Sequence, residues 1–252
     1  MKLIASDFDG TLSHHGVSSK DRDAIAKWRA AGNLFGIVTG RDHGFVPTIA
    51  EANLVIDFVI VYNGVDIYDL RNVTPVLLKR LMGTTHRMAD LLPIVLRKKG
   101  DYADIVTPKR VYHFNYENTL DPKNENWMPH TAVNDIREFV QIYSLYESGE
   151  TAMVVAEELN KHHADVVSAL VNWHWLNAPP AGVNKATGVS EYARHMGVKH
   201  ENIYAIGDSY NDMDMITAFN GYAMENGVDA IKNAANWVVS GVWELIELAL
   251  AK

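Results

Sequence analysis

The feature that most constrains the fold is a repeated alternation between short apolar runs and helical patterns. Five apolar runs have the length of buried strands, and they occupy residues 3–5, 34–38, 58–62, 203–206 and 237–239. Helical patterns cover residues 20–31 and 185–196, and each ends beside a glycine. Strands that alternate with helices pair in parallel, with helices on both faces of the sheet. The sequence therefore predicts an α/β fold built on a Rossmann-like, doubly wound parallel sheet.

The alternation is interrupted in the middle of the chain, where the pattern is less regular and richer in His, Trp and Tyr. We predict an inserted, smaller α/β domain there, so that the core domain is discontinuous. The Pro and Gly residues of segment 177–184 predict the linker through which the chain returns. The predicted organisation is a first core segment at 1–82, an inserted cap domain at 83–178, and a second core segment at 179–252.

Within the insert, the sequence predicts three elements. Residues 111–120 read as a rather exposed strand, residues 135–146 as a helix running into a strand, and residues 156–170 as another helix. Six aromatic or histidine residues are conspicuous, and a sugar could stack on them. Because aromatic residues at strand positions usually belong to a core, we interpret them as core residues without a site role; they are Tyr112, His113, Trp127, Trp173, His174 and Trp175.

Composition excludes several classes of function. The formal net charge of -8 argues against nucleic-acid binding as the main activity, because an acidic protein repels a phosphate backbone. The chain has no cysteine, which excludes disulfides and thiolate metal sites. No apolar run reaches the roughly 18 residues of a membrane span, and the first residues do not read as a secretory signal. A cytoplasmic protein that does not associate with membranes is the expectation.

Polar residues follow four of the predicted strands. Asp7 and Asp9 come after the first strand, "TGR" (39–41) after the second, "NG" (63–64) after the third, and "GDSYND" (207–212) after the fourth. In parallel α/β sheets the carboxyl ends of the strands form one edge, and ligands bind there. These polar groups are therefore expected to converge on one site.

The acidic residues among them suggest a metal ion. If a helix has begun at Asp208, then Asp208 and Asp212 share one of its faces and join Asp7 and Asp9 at the site. Two unit charges ~4 Å apart repel by about 4 kcal/mol at an effective dielectric constant of ~20. A cation is needed to offset this, and carboxylate oxygens favour a hard ion such as Mg²⁺. Lys185, at the start of a predicted helix, could meet a phosphate there.

Taken together, these motifs resemble the haloacid dehalogenase superfamily of phosphohydrolases. "DFDGT" (7–11), "TGR" (39–41), Lys185 and "GDSYND" (207–212) appear in the family's order. Two further segments, "NGVDIYD" (63–69) and "AMENGVDAIKNAANWVV" (223–239), look like the Cof-type branch. That branch carries a large α/β cap between the second motif and the lysine, which is where the predicted insert lies. "AMEN" departs slightly from the branch's usual "AMGN", and we expect little consequence for catalysis.

The resemblance implies a role for each matching residue. Asp7 would be the nucleophile that forms an aspartyl-phosphate. Asp9 would be the general acid and then the general base, with its backbone carbonyl on Mg²⁺. Asp7, Asp9, Asp208 and Asp212 would form or orient the metal site. The phosphoryl oxygens would be held by Phe8 through its backbone N–H, and by Thr39, Gly40, Lys185 and Asn211.

The implied function is a Mg²⁺-dependent phosphohydrolase that acts on a small phosphorylated metabolite such as a sugar phosphate. A phosphomutase acting on a sugar phosphate is the alternative, and it would need a sugar bisphosphate for turnover. A signalling receiver phosphorylated on an aspartate is a third possibility, from a different functional class. A receiver places its acceptor aspartate after a middle strand and needs no large insert, so the sequence argues against it.

Overall fold

The computed structural model describes residues 1–51, 54–121 and 123–251. The chain divides into two compact units, the first made of Met1–Arg80 with Asn184–Lys252, and the second of Leu81–Val183. The insert predicted at 83–178 falls inside the second unit, whose bounds begin two residues earlier and end five residues later.

Within the described ranges the chain forms fifteen strands and eight α-helices. The strands are β1 (Leu3–Ser6), β2 (Leu34–Val38), β3 (Phe58–Val61), β4 (Asp66–Asp69), β5 (Val76–Arg80), β6 (Gly83–Thr84), β7 (Tyr102–Val106), β8 (Val111–Asn115), β9 (Glu138–Phe139), β10 (Gln141–Leu145), β11 (Leu170–Asn172), β12 (Trp175–Ala178), β13 (Ile203–Gly207), β14 (Asn220–Met224) and β15 (Trp237–Val239). The helices are α1 (Ser19–Ala30), α2 (Phe45–Glu51), α3 (Met88–Val95), α4 (Gly149–His162), α5 (Lys185–Met196), α6 (Met213–Ala218), α7 (Asp229–Ala234) and α8 (Val242–Leu250). None of these helices is long and apolar enough to cross a lipid bilayer.

The first unit is built on an eight-stranded sheet in the order β15-β14-β13-β1-β2-β3-β4-β5. The six strands from β15 to β3 pair in parallel, whereas β4 and β5 add an antiparallel hairpin at one edge. All five strands predicted for the core are present. β14 was not predicted, because its sequence "NGYAM" begins with two residues that are typical of turns. The predicted α/β class with a mainly parallel sheet is confirmed.

Strand β1 shows why this sheet has helices on both faces. Successive residues of a strand point to opposite faces. Leu3 and Ala5 join the apolar cluster that includes residues of α5 and α6, while Ile4 pairs in register with Tyr204, whose ring meets Trp28 of α1 edge-on. All four residues of β1 are buried, as a central parallel strand requires. The backbone ladder continues beyond β1, because the N–H of Asp7 donates to the Ile206 carbonyl at 2.9 Å.

The second unit contains a five-stranded antiparallel sheet in the order β11-β12-β10-β7-β8, and a two-stranded sheet of β6 and β9. Residues of α3 and α4 share one apolar cluster with residues of this sheet. The described segment 135–146 contains no α-helix, so the helix predicted there is wrong. Successive residues of β10 point to opposite faces of the sheet instead. Ile142 lies in the apolar core, whereas Gln141 and Tyr143 lie on the other face.

Other boundaries in the second unit also differ from the prediction. The strand expected at 111–120 ends at Asn115, and α4 ends at His162, so a helix does not extend to residue 170. Strand β12 runs to Ala178, which makes the return linker shorter than 177–184. The interpretation of these residues as core is wrong for Trp173 and Trp175, which are 80% and 41% exposed, and for His174 between them, which is exposed as well.

Asp69 offers a test of how one buried carboxylate stabilises the first unit. It accepts hydrogen bonds from the guanidinium and the backbone N–H of Arg71, at 2.6 and 2.9 Å. The side-chain hydrogen bond from Arg71 is the main cause that holds the pKa of Asp69 below its usual value. A lowered folded pKa stabilises the fold above the unfolded pKa of about 3.9, and this contribution is lost as the pH falls through the folded pKa.

We therefore expect Asp69→Asn to lower the free energy of unfolding by about 1 kcal/mol at pH 7 and to have almost no effect near pH 2. Urea unfolding at both pH values measures this difference, and Asp23→Asn at an exposed position of α1 is the matched control. A loss of the same size at pH 2 would show that packing, and not the charge, is responsible.

Candidate active site

A buried lysine between two carboxylates forms the centre of the site. The Lys185 ammonium donates to one oxygen of Asp7 and one oxygen of Asp212, both at 2.6 Å. Lys185 and Asp212 are completely buried, and Asp7 is nearly so. An unpaired charge in such a place would be very costly, so the three groups depend on one another.

The start of α5 explains how a lysine reaches this position. Asn184 caps the helix, because its side chain accepts the Thr187 N–H while the Thr187 hydroxyl accepts the Asn184 N–H. The backbone of Gly64, with φ +114°, lies directly against this cap. A Cβ atom at Gly64 would come within 2.0 Å of the Asn184 carbonyl oxygen. A glycine is therefore required for α5 to approach close enough to bury the Lys185 side chain.

Asp208 and Asp212 do converge, but not because they share a helix face. Strand β13 ends at Gly207, a 3₁₀ turn covers Tyr210–Asp212, and α6 begins only at Met213. The second carboxylate oxygen of Asp212 accepts the backbone N–H groups of Asp208 and Ser209, at 3.1 and 3.0 Å. The carboxylate of Asp212 thus holds the backbone of its own loop in place and fixes the position of Asp208.

The loop after β1 supports Asp208 from the other side. The Thr11 hydroxyl donates to an Asp208 carboxylate oxygen at 2.6 Å. Gly10 has φ +85°, and a Cβ atom there would come within 2.6 Å of Asp208, so the motif "DFDGT" needs its glycine for this close approach. The Asn226 amide, from the "AMEN" segment, donates to the Gly10 carbonyl at 2.9 Å. Neither Thr11 nor Asn226 has a predicted role, although each lies inside a motif quoted from the sequence.

The charges of the cluster are out of balance. Burial raises the pKa of Asp7 well above its usual value; Lys185 opposes this, while Asp212 and Asp208 add to it. Burial also raises the pKa of Asp208. Although burial disfavours the Lys185 ammonium, Asp212 and Asp7 raise its pKa, so it stays charged. One ammonium thus faces three carboxylates, and a further positive charge would stabilise them.

Asp7, Asp208 and Asp212 fit a hard metal ion. Each offers one carboxylate oxygen, and these three oxygens lie within 4.8 Å of one another. Carboxylate oxygens suit Mg²⁺, which usually binds one or two of them directly and completes its shell with water and substrate phosphate. The predicted ligands Asp7, Asp208 and Asp212 are thus brought together, whereas the side chain of Asp9 is not part of this group. The predicted metal contact of Asp9 is its backbone carbonyl, and it stays a prediction.

The Asp9 carboxylate is bound by Arg41, which the sequence placed at the site within "TGR" but without a predicted role. Arg41 donates two hydrogen bonds to it, at 2.6 and 2.7 Å, in a bidentate arrangement. The guanidinium also lies over the rings of Phe8 and Phe45, which are 4.7 Å apart. Both Asp9 and Arg41 are about half exposed. Arg41 is the third residue of "TGR", so the motif itself was the signal that could have identified it.

Three further predicted phosphate ligands, Thr39, Gly40 and Asn211, lie on two loops that meet at Asn63. Thr39 is buried directly after β2, and its hydroxyl accepts the Arg41 N–H at 3.2 Å. Asn211 is buried in the loop after β13 and donates to the Asn63 side chain at 3.3 Å. A Cβ atom on Gly40 would be 3.2 Å from the Asn63 amide. Asn63 follows β3 in the sequence, and it had no predicted site role.

Comparisons with known proteins identify proteins with similar sequences. The model of the haloacid dehalogenase-like hydrolase family matches residues 4–242. The chain is 26% identical over 254 residues to 5-amino-6-(5-phospho-D-ribitylamino)uracil phosphatase YitU of Bacillus subtilis (strain 168), covering 93% of this chain and 90% of that protein. It is 24% identical over 265 residues to pyridoxal phosphate phosphatase YbhA of Escherichia coli (strain K12), covering 94% and 93%.

Solved structures show the same fold. The HAD subclass IIB sugar phosphatase BT4131 superimposes with a TM-score of 0.76 at 20% sequence identity, over 98% of each chain. The match of the family model confirms the family expected from the four motifs, and the solved structure confirms the fold that the resemblance implied.

If Asp7, Asp208 and Asp212 bind a metal ion, Mg²⁺ should stabilise the folded protein. A ligand present at 100 times its dissociation constant adds about 2.7 kcal/mol to the free energy of unfolding. We expect Mg²⁺ to raise the Tm of the wild-type protein, and Asp208→Asn to abolish most of that rise, in differential scanning fluorimetry without substrate. Asp229→Asn, at an exposed position of α7, is the control and should keep the full rise. An equal rise in Asp208→Asn would contradict the assignment of this residue to the metal site.

Proposed function

This chain belongs to the haloacid dehalogenase-like hydrolase family, and on that premise we propose that it is a Mg²⁺-dependent phosphatase. It hydrolyses the phosphate monoester of a small metabolite through an aspartyl-phosphate on Asp7. The observation that carries this proposal is the buried Lys185 ammonium, 2.6 Å from both Asp7 and Asp212, together with a third carboxylate, Asp208, that has an oxygen within 4.8 Å of theirs. Lys185, together with a metal ion bound by these carboxylates, would stabilise a phosphoryl group that approaches Asp7.

The proposed substrate class follows from the relatives. YitU is named for a ribitylamino-uracil phosphate, YbhA for pyridoxal phosphate, and BT4131 as a sugar phosphatase. These compounds share a phosphate ester on a small polar molecule, and they differ widely in the rest of their structure. We therefore propose the class of small phosphorylated metabolites, with a sugar phosphate or similar compound as substrate.

In the first half-reaction, a carboxylate oxygen of Asp7 attacks phosphorus as the bond between phosphorus and the leaving oxygen breaks. Asp9 gives its proton to that leaving oxygen, so the product departs as an alcohol. To do so, the Asp9 carboxyl must exchange its contacts with Arg41 for a contact with the substrate. Lys185, Thr39, Gly40, Asn211 and the Phe8 N–H hold the phosphoryl oxygens during this step.

In the second half-reaction, the Asp9 carboxylate takes a proton from water. The water oxygen attacks phosphorus, the bond between phosphorus and Asp7 breaks, and inorganic phosphate leaves. Asp7 returns as a carboxylate and Asp9 is again protonated, so the cycle is balanced. A Mg²⁺ ion held by Asp7, Asp208, Asp212 and the Asp9 carbonyl would supply positive charge against the carboxylates and the phosphoryl oxygens.

A panel of phosphorylated metabolites assayed with Mg²⁺ tests the proposed function. We expect the wild-type protein to release inorganic phosphate from at least one of them, and Asp7→Asn to lower kcat at least a thousandfold, because an amide of the same size is a poor nucleophile. Asp229→Asn is the control, and circular dichroism checks that each variant is folded. A folded Asp7→Asn protein that keeps a tenth of the wild-type kcat would contradict the role of Asp7.

The dual role of Asp9 predicts a dependence on the leaving group. General acid–base catalysis is typically worth about 10²–10⁴-fold, and p-nitrophenolate leaves well without a proton whereas an alkoxide does not. With p-nitrophenyl phosphate, Asp9→Asn should therefore show a burst of about one product per active site and then slow turnover. With a sugar phosphate it should show no burst. Rapid-quench kinetics measures both, and equal slowing without a burst on both substrates would count against Asp9 as the shared acid and base.

A further inference from the structure

We infer that Asn63 is a positioning residue of the proposed phosphate site, which holds the Gly40 amide and the Asn211 side chain in place. This inference rests on the proposed function, because it concerns how that site binds phosphate. It is carried by three observations: the backbone conformation of residues 62–64, the hydrogen bonds of that turn, and a buried amide nitrogen without a partner.

The turn after β3 has an unusual backbone. Tyr62, Asn63 and Gly64 all have positive φ angles, of 54°, 53° and 114°. The left-handed conformation costs roughly 1–2 kcal/mol for a residue with a side chain, and it is rare for a bulky aromatic residue. Tyr62 and Asn63 are also buried. Strain of this kind persists only where the surrounding structure determines it, and it is concentrated at functional sites.

The conformation of the turn directs two N–H groups at the "TGR" loop. The Asn63 N–H donates to the Thr39 carbonyl at 3.0 Å, and the Tyr62 N–H donates to the Arg41 carbonyl at 2.9 Å. In a trans peptide the carbonyl and the following N–H point in opposite directions, and the described residues contain no cis peptide. The Thr39 carbonyl points towards the turn, so the Gly40 N–H points away from it. The turn thereby sets the direction of an amide that we propose as a phosphate donor.

The side chain of Asn63 connects this loop to the second phosphate loop. Its oxygen accepts from the Asn211 amide at 3.3 Å, and Gly40 lies against the same side chain. Its nitrogen is buried and has no hydrogen-bond partner among the residues that the structure describes. Leaving a buried donor unsatisfied costs about 1–3 kcal/mol. An amide at this position is therefore unfavourable for stability alone, and its oxygen is what orients Asn211.

The substitution Asn63→Gly separates the contribution of the Asn63 side chain from that of its left-handed backbone. Asn63→Gly still adopts the left-handed backbone without strain, so the hydrogen bonds to Thr39 and Arg41 can persist, but Asn211 loses its acceptor. Asn118→Gly is the matched control, because Asn118 also has a left-handed backbone, at φ 53°, and its side chain accepts a backbone N–H from His130. Asn118 is exposed and belongs to the second unit.

The readout is the inhibition constant of inorganic phosphate, measured by competition against p-nitrophenyl phosphate, together with KM and kcat. We expect Asn63→Gly to raise the inhibition constant and KM about tenfold, which is the loss of one well-placed hydrogen bond, while Mg²⁺ still raises its Tm. Asn118→Gly should leave both constants unchanged. In an Asn211→Ala protein, adding Asn63→Gly should raise the inhibition constant much less than in the wild type, because the two residues act together.

Asn63→Asp is the second variant, because it keeps the shape and the tolerance for a left-handed backbone. It places a carboxylate between the two proposed phosphate loops, so we expect the inhibition constant to rise more than tenfold. Unchanged phosphate inhibition in a folded Asn63→Gly or Asn63→Asp protein would overturn the inference, and so would additive effects of Asn63→Gly and Asn211→Ala. A wild-type protein that neither hydrolyses phosphate esters nor is inhibited by phosphate would overturn the proposed function as well.

Discussion

The contact on which the rest of the site depends is the buried ion pair network of Lys185, Asp7 and Asp212. The ammonium is completely enclosed, and its two carboxylate partners at 2.6 Å are what make its burial tolerable. Asp7 lies 178 residues before Lys185, and Asp212 lies 27 residues after it. The end of β1, the start of α5 and the loop after β13 must therefore all be in place before all three charges are paired. This network couples the folding of the first unit to the formation of its proposed catalytic centre.

Close backbone approach is the second requirement of the site. Gly64 lets the start of α5 reach the sheet, Gly10 leaves room for Asp208, and Gly207 leaves room for Asp212, since a Cβ atom on any of them would overlap its neighbour. The turn after β3 adds two strained residues to the same region. Local strain and tight glycine contacts destabilise a fold, and here they are concentrated where polar groups converge. We infer that strained residues and tight glycine contacts cluster there because hydrogen-bond donors and carboxylates must be held around one small phosphoryl group.

Much of the fold could be predicted because it is encoded in local patterns. The apolar run of β2 and the helical pattern of α5 were predicted with the observed bounds, because burial and periodicity are visible within a few residues. The helix predicted within segment 135–146 is wrong, because residues of β10 alternate there between the two faces of the sheet with a period of two, which is the period of a strand. β14 was missed because only pairing with its neighbours makes it a strand. Such pairing is a property of the whole sheet.

The site residues also divide into those that a local sequence pattern indicates and those that only the folded structure brings together. Asp7, Asp208 and Lys185 could be selected because each follows a strand signal or starts a helix. The bidentate contact of Arg41 with Asp9, and the position of Asn63 between two loops, depend on residues more than 20 positions apart. No local pattern specifies such contacts. Even the convergence of Asp208 and Asp212 has a different cause from the expected helix face, because the Asp212 carboxylate binds the backbone of its own loop.

The central claim is that Asp7 carries the phosphoryl group during turnover, and chemical trapping tests it most directly. An acyl phosphate formed with substrate and Mg²⁺ can be quenched in acid and reduced with borohydride, which converts the modified aspartate to homoserine. Peptide mass spectrometry then identifies the position. Our account predicts homoserine at position 7, and none at positions 9, 208 or 212. Homoserine at one of those positions instead of position 7 would contradict this account. The absence of homoserine at position 7 would also contradict it, if the same experiment is done with an Asp9→Asn protein under conditions in which the intermediate accumulates.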